Sequence, residues 1–241
     1  MWYVALGFAA LSFGITFASG FAAGRIARTG RRWLTIALGF GGGFMMAVAL
    51  ADIIPEAAEQ AKSAYHAVAV GFAAFFMIEQ LLDAHFCPPG EERCERDHAS
   101  TGPLAVVGLG LHGLIDGVAF ASALAADVRL AVMVALAILV HKVPDGFCFG
   151  TLLVSKRYSP ESARRQLAAF SLTTPLGVIA AKTAFSGAVN PGLALGLSAG
   201  SFIYIATSHL LPEAKLEVEN AGPLVLSVII GIGVAIFLPS I

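Results

Sequence analysis

Four uncharged, mostly apolar stretches run through this chain, at residues 2–24, 33–51, 183–208 and 221–241. Each is near the ~20 residues that a helix needs to cross a bilayer. A soluble fold would have to bury all four, and the chain lacks the polar surface to cover them. Charged residues are 13% of the sequence and hydrophobic residues 57%, against about 25% charged in soluble domains. The mean hydropathy of +0.80 agrees. In lipid every backbone N–H and C=O needs an internal partner, and a helix supplies one within each segment. The sequence therefore predicts an all-α integral membrane protein.

The first stretch has no basic segment before it and its arginines follow it, so it reads as a retained helix rather than a cleaved leader. A net charge of −1 speaks against nucleic acid as a partner. Cys87, Cys94 and Cys148 make no disulfide framework, and Cys148, inside an apolar segment, reads as a packed thiol.

Charge clusters and Pro/Gly breaks divide the chain into about eight spans, near 2–24, 33–60, 64–86, 103–125, 129–154, 165–187, 191–215 and 222–240. They are read as one transmembrane domain over 1–241. Ionisable residues interrupt the third, fourth and fifth spans. Arg25, Arg28, Arg31 and Arg32 fall between spans one and two; Lys156, Arg157, Arg164 and Arg165 fall between or at the edges of spans five and six. Eight alternating spans put both basic groups on one side, which makes that side cytoplasmic and both termini extracytoplasmic. The hydrophilic loop of about 87–102 would also be cytoplasmic. With His85 beside it, it carries Cys87, Cys94 and His98 among Glu91, Glu92, Arg93, Glu95, Arg96 and Asp97. It reads either as a metal-collecting loop or as a solvated linker of mixed charge.

Two repeats lie within the spans. Asp52-Ile53-Ile54-Pro55-Glu56-Ala57 in span two returns as His209-Leu210-Leu211-Pro212-Glu213-Ala214 in span seven. These spans run in opposite directions, as in an inverted-topology transporter with a site near the midplane. His112-Gly113-Leu114-Ile115-Asp116-Gly117 in span four pairs likewise with His141-Lys142-Val143-Pro144-Asp145-Gly146 in span five. The i, i+4 spacing puts each His and Asp on one helical face.

A charge at mid-bilayer costs at least about 2.5–3.5 kcal/mol on insertion scales. Two aspartates, two histidines and a lysine in two short segments need a shared reason. Two imidazoles and two carboxylates, His112, Asp116, His141 and Asp145, make a four-coordinate site suited to Zn²⁺. Fe²⁺, Mn²⁺, Co²⁺ and Cd²⁺ suit the same donors, and no thiolate set favours Cu(I). The competing account, a Lys142–Asp145 ion pair without metal, leaves both histidines and Asp116 unexplained. Asp52, Glu56, His209 and Glu213 read as waypoints by which a cation enters and leaves, or as interfacial caps. Glu79 and Asp83 in span three are a turn apart and read as path-lining or interface residues.

The fourth- and fifth-span segments resemble the paired metal motifs of the ZIP (Zrt/Irt-like) transporter family, H-N-x-x-[DE]-G and H-E-x-P-E-G. Thr174-Pro175-Leu176-Gly177 resembles that family's S-E-P-L-G, and the run from Ala199 to Glu213 resembles its A-G-x-x-x-Y…LPE segment. Span number, topology and short length are similar to the prokaryotic type. The resemblance implies import of zinc or a similar divalent ion into the cytoplasm across a cell membrane, the inner membrane for a bacterial protein. The metal is substrate, and no cofactor is expected. It implies transport through His112, Asp116, His141 and Asp145, with His209 and Glu213 on the exit route. Family members with a binuclear centre hold a second ion with an Asn and two acids, where this chain has Gly113, Lys142 and Thr174. The Lys142 ammonium would then replace part of the second metal's charge, leaving a mononuclear site.

Two other functions compete with transport. An intramembrane zinc hydrolase needs an acid/base group and an open metal position, and the chain has no H-E-x-x-H; an enzyme is not expected. A transport-dead sensor or scaffold is suggested only by the lost second set. The partners expected are divalent metal ions, the lipid bilayer and a second copy in a homodimer.

Overall fold

The computed structural model describes residues 2–86, 101–184, 190–216 and 221–237. Among these, every regular element is a helix. There are eight: α1 Trp2–Ala27, α2 Arg31–Gln60, α3 Ala64–Phe86, α4 Thr101–Ala126, α5 Val128–Ser155, α6 in two pieces (Pro160–Ser171 and Thr173–Ala184), α7 Pro191–Leu216 and α8 Ala221–Phe237. Five of them, α1, α2, α3, α5 and α7, are long and apolar enough to cross a membrane. The apolar part of α4, Leu109–Ala125, and α8 are shorter. The polar loop expected at about 87–102 lies almost wholly outside the described residues, as do Cys87, Cys94 and His98.

Side chains start and interrupt these helices in ways the sequence explains. Asp127 caps α5 by accepting from the backbone N–H groups of Arg129 and Leu130 at 2.9 and 3.1 Å. Ser159 and Asn190 cap α6 and α7, each with proline in the first turn. Span six starts earlier than expected, at Pro160, and breaks at Leu172. Pro175 has no N–H for the carbonyl of Ser171, so the ladder stops there.

The repeated Pro-Glu segments are also a repeat of backbone. Before Pro55 and Pro212 the helix widens into π-helical turns, Ala49–Ile53 and Ala206–Leu210. Ile54 N–H bonds to the Ala49 carbonyl and Leu211 N–H to that of Ala206, five residues back in both cases. Proline cannot donate to the carbonyl four residues before it and its ring crowds that group, so a wider turn relieves both.

The helices pack as two groups, α1, α4, α5 and α6 against α2, α3, α7 and α8. Small residues set the approach within them. On α4 and α6, a Cβ at Gly117 would strike the Thr174 carbonyl, and one at Gly177 the Leu114 carbonyl. Such backbone-to-backbone contact is how membrane helices gain packing when hydrophobic driving force is absent. Large apolar side chains point outward, Tyr3 at 90% exposure and Phe237 at 88%, while His112, Asp116, His141, Lys142, Asp145 and His209 are buried inside.

The basic segments meet at one end of the molecule. Arg28 Nη2 donates to the Tyr158 carbonyl at 3.0 Å, and Arg31 Nη2 to that of Leu216 at 3.2 Å. At the opposite end Lys182 stands over the Trp2 ring at 5.2 Å, and Gly192 packs on Ala57 and Ala61. Antiparallel alternation of all eight helices accounts for both sets of contacts.

Candidate metal site between α4, α5 and α7

One face of α4 presents His112 and Asp116, and one face of α5 presents His141 and Asp145. The helices bring one donor atom of each to within 4.8 Å of every other. All four side chains are at most 1% exposed. His112 Nε2 lies 3.1 Å from Asp116 Oδ2 and 3.7 Å from Asp145 Oδ2; His141 Nε2 lies 3.1 Å from Asp116 Oδ2. Lys142 reaches into the same space, its Nζ 2.5 Å from Asp116 Oδ2 and 2.6 Å from Asp145 Oδ2. The ion pair foreseen with Asp145 is therefore a bridge across both carboxylates.

Three residues of α7 complete the shell, and sequence reasoning gave them no role. Ser198 Oγ donates to Asp116 Oδ1 at 2.6 Å, and Ser201 Oγ donates to the Ser198 carbonyl at 2.7 Å. Both hydroxyls also lie against His112 Nδ1, at 3.0 and 2.9 Å. A hydroxyl has one proton, and both protons are already committed. Nδ1 must then be the donor, and a neutral His112 keeps its lone pair on Nε2. That nitrogen is buried with no hydrogen-bond partner, as are Asp145 Oδ1 and His141 Nδ1. A lone pair 3.1 Å from a carboxylate oxygen is an arrangement that a cation between them would stabilise. Phe202 fixes both imidazoles, tilted on His112 at 3.9 Å between centroids and edge-on to His141 at 5.1 Å. Ser198, Ser201 and Phe202 at i, i+3 and i+4 share one face of an apolar helix, which was the available signal.

The other expected residues lie apart from this cluster. His209 Nε2 is 3.1 Å from Glu79 Oε2 on α3, and the Tyr204 hydroxyl donates to the same oxygen. This pairing gives Glu79 its role and was invisible in the sequence. Glu213 accepts from Ser155 Oγ and, at 2.7 Å, from Lys156 Nζ, tying α7 to the end of α5. Glu56 accepts from Gln60 one turn on. Asp52 lies within electrostatic reach of His141. Around Gly113, Lys142 and Thr174 no second cluster of donors occurs among the described residues; a Cβ at Gly113 would press on Thr173 and come within 3.4 Å of Thr174 Oγ1. The side chains of Asp83 and His85 lie outside the described set, and Cys148 is fully buried.

Residues 91–239 match the ZIP zinc transporter family. Among similar proteins, zinc transporter ZIP9-B of Xenopus laevis is 30% identical over 153 residues, covering 60% of this chain and 50% of that protein. Zinc transporter ZIP9 of Macaca fascicularis is 35% identical over 116 residues, covering 44% and 49% respectively. Zinc transporter SLC39A7 of Mus musculus is 28% identical over 141 residues, covering 54% and 29%. The chain spans about half the length of the ZIP9 relatives it matches. With more than half of its residues matched, His112, Asp116, His141 and Asp145 among them, this multi-pass membrane protein belongs to the ZIP zinc transporter family.

Proposed function

We propose that the chain imports divalent metal ions, zinc foremost, toward the cytoplasm, and binds one ion at a time among His112, Asp116, His141 and Asp145. The observation that carries this reading is the bare, fully buried His112 Nε2 aimed at two carboxylates. Two imidazole nitrogens and two carboxylate oxygens are the donors zinc accepts. Relatives named as zinc transporters support zinc as the cargo.

Charge decides how tightly the ion is held. Asp116 and Asp145 carry −2, and the Lys142 ammonium cancels half of it. A divalent ion entering the cluster therefore displaces or repels the ammonium, and binding is weaker than two free carboxylates would give. A transport site needs this compromise: affinity enough for entry and little enough for release. Lys142 supplies it in place of a second metal.

The path runs from the end where α1 begins and α8 finishes, past Glu56 and Asp52, into the cluster and out past His209 and Glu213 toward the basic loops. The Lys156–Glu213 pair joins the two helix groups at that exit and must open for release. The test is uptake of radioactive zinc by proteoliposomes of the purified protein, with Fe²⁺, Mn²⁺, Co²⁺ and Cd²⁺ as competitors. Zinc accumulation that competitors reduce is expected. No accumulation of any of these ions would end the proposal.

A further inference from the structure

Away from the His/Asp cluster, α1, α5 and the first piece of α6 enclose a groove of about 260 Å³. Its floor is apolar, formed by Gly24, Leu153, Val154 and Leu167, and Arg25, Arg28 and Arg164 stand at its rim. Among the described residues none of the three arginines has a carboxylate partner. Arg25 lies over the Phe21 ring at 5.7 Å, and Arg28 donates to the backbone carbonyl of Tyr158. Those contacts hold two of the guanidinium groups in place without cancelling their charge. Phe21, on the same wall, is 44% exposed on the outer face of α1.

An apolar slot beneath three cations that no described carboxylate pairs with, at the end of a membrane bundle, matches an amphiphile with a negative head. We propose that this groove binds one anionic phospholipid, with an acyl chain along α1 and α5 and the phosphate among Arg25, Arg28 and Arg164. A zwitterionic lipid would fill the slot but gain little at the rim. Inorganic phosphate would meet the rim and leave the slot empty. Guanidinium groups suit phosphate because their paired N–H donors match two of its oxygens, and basic pockets between membrane helices select anionic headgroups.

Glycine packing shows how to block the slot. A Cβ at Gly150 would strike the Gly20 carbonyl, so α1 and α5 need both glycines. A Cβ at Gly24 would meet only ordinary contacts, 3.5 Å from the Gly150 oxygen and 4.0 Å from Val154 Cγ2. Gly24 is therefore free to accept a side chain that grows into the groove.

Native mass spectrometry of the purified full chain, offered equal amounts of phosphatidylglycerol and phosphatidylcholine, tests the proposal. The unmodified protein should retain one phosphatidylglycerol in preference. Each arginine is worth roughly fivefold in affinity for an anionic lipid, so R25Q/R28Q/R164Q should lose about a hundredfold and Arg164→Gln alone about fivefold. Gly24→Leu should lose retention of both lipids, while Gly24→Ala keeps it. Equal retention of the two lipids by the unmodified protein would overturn the proposal. So would undiminished anionic-lipid binding in Arg164→Gln and Gly24→Leu, or inorganic phosphate binding as tightly as the lipid.

Discussion

The hydroxyl of Ser198 on α7 donates to Asp116 Oδ1 on α4 at 2.6 Å. The residue that orients this carboxylate thus belongs to the helix group opposite the one that carries it. The Ser198 Oγ also accepts from His112 Nδ1, so one serine orients two of the four donors. Any sliding of the two helix groups past each other must break these bonds. If the cluster holds the ion as proposed, such a movement would change metal affinity through Ser198.

Ser198→Ala should weaken zinc binding and uptake by about 10–100-fold, the usual cost of removing a partner that orients a metal ligand. Its effect should fall on KM more than on protein yield. Ser198→Thr keeps a hydroxyl and should restore much of the loss. Zinc titration and initial uptake rates on both variants decide this. Equal loss in alanine and threonine would mean that Ser198 only packs.

Alanine at His112, Asp116, His141 or Asp145 should bring uptake near background while the protein still inserts and purifies. Each change removes one of four donors, and either Asp change also leaves Lys142 paired to a single carboxylate, with no net charge to attract an ion. Uptake by all four variants, normalised to membrane protein, is the measurement. Near-normal rates in two or more would place the path elsewhere.

The helices and the histidine–aspartate pairs were legible because their signals are local. An uncharged run marks a span, and i, i+4 spacing marks a face. Cross-helix partners were not legible. Lys142 meets Asp116 26 residues away, Ser198 meets it from 82, and His209 meets Glu79 from 130; only the packing of α3, α4, α5 and α7 creates these pairs. The π-helical turns at Ala49–Ile53 and Ala206–Leu210 lie between. Pro55 and Pro212 each withhold an N–H from the carbonyl four residues back, but a kink or a break accommodates that loss as well as a π-helical turn does. The break at Leu172 went unread because the run around it remains apolar enough to continue a span.

The arrangement of basic residues predicts that both termini face away from the cytoplasm. The contacts of Arg28 with Tyr158 and Arg31 with Leu216 gather the basic loops at one end, and positive loops remain cytoplasmic. Trp2→Cys should react with an impermeant thiol reagent applied to intact cells, and Pro160→Cys should be protected. Protection of position 2 together with labelling of position 160 would invert the orientation.

Lys142 gives the sharpest separation between affinity and rate. Its ammonium bridges Asp116 and Asp145 at 2.5 and 2.6 Å, so it occupies the charge that a metal ion seeks. Lys142→Ala removes this competitor and leaves two carboxylates close together, which repel each other until a cation joins them. Zinc should bind more tightly and leave more slowly. The expected outcome is a lower KM with a moderately reduced maximal uptake, a smaller loss than removing any of the four donors. Lys142→Glu with Gly113→Asn and Thr174→Glu adds three donors beside the cluster and should raise the stoichiometry from one ion to two. Thr173 must rotate to admit the new Asn, because a Cβ at position 113 presses on it. Metal content of the purified proteins checks both statements. Two ions in the unmodified protein would show that Lys142 does not stand in for a metal, and an unchanged KM in Lys142→Ala would show that it does not compete with one.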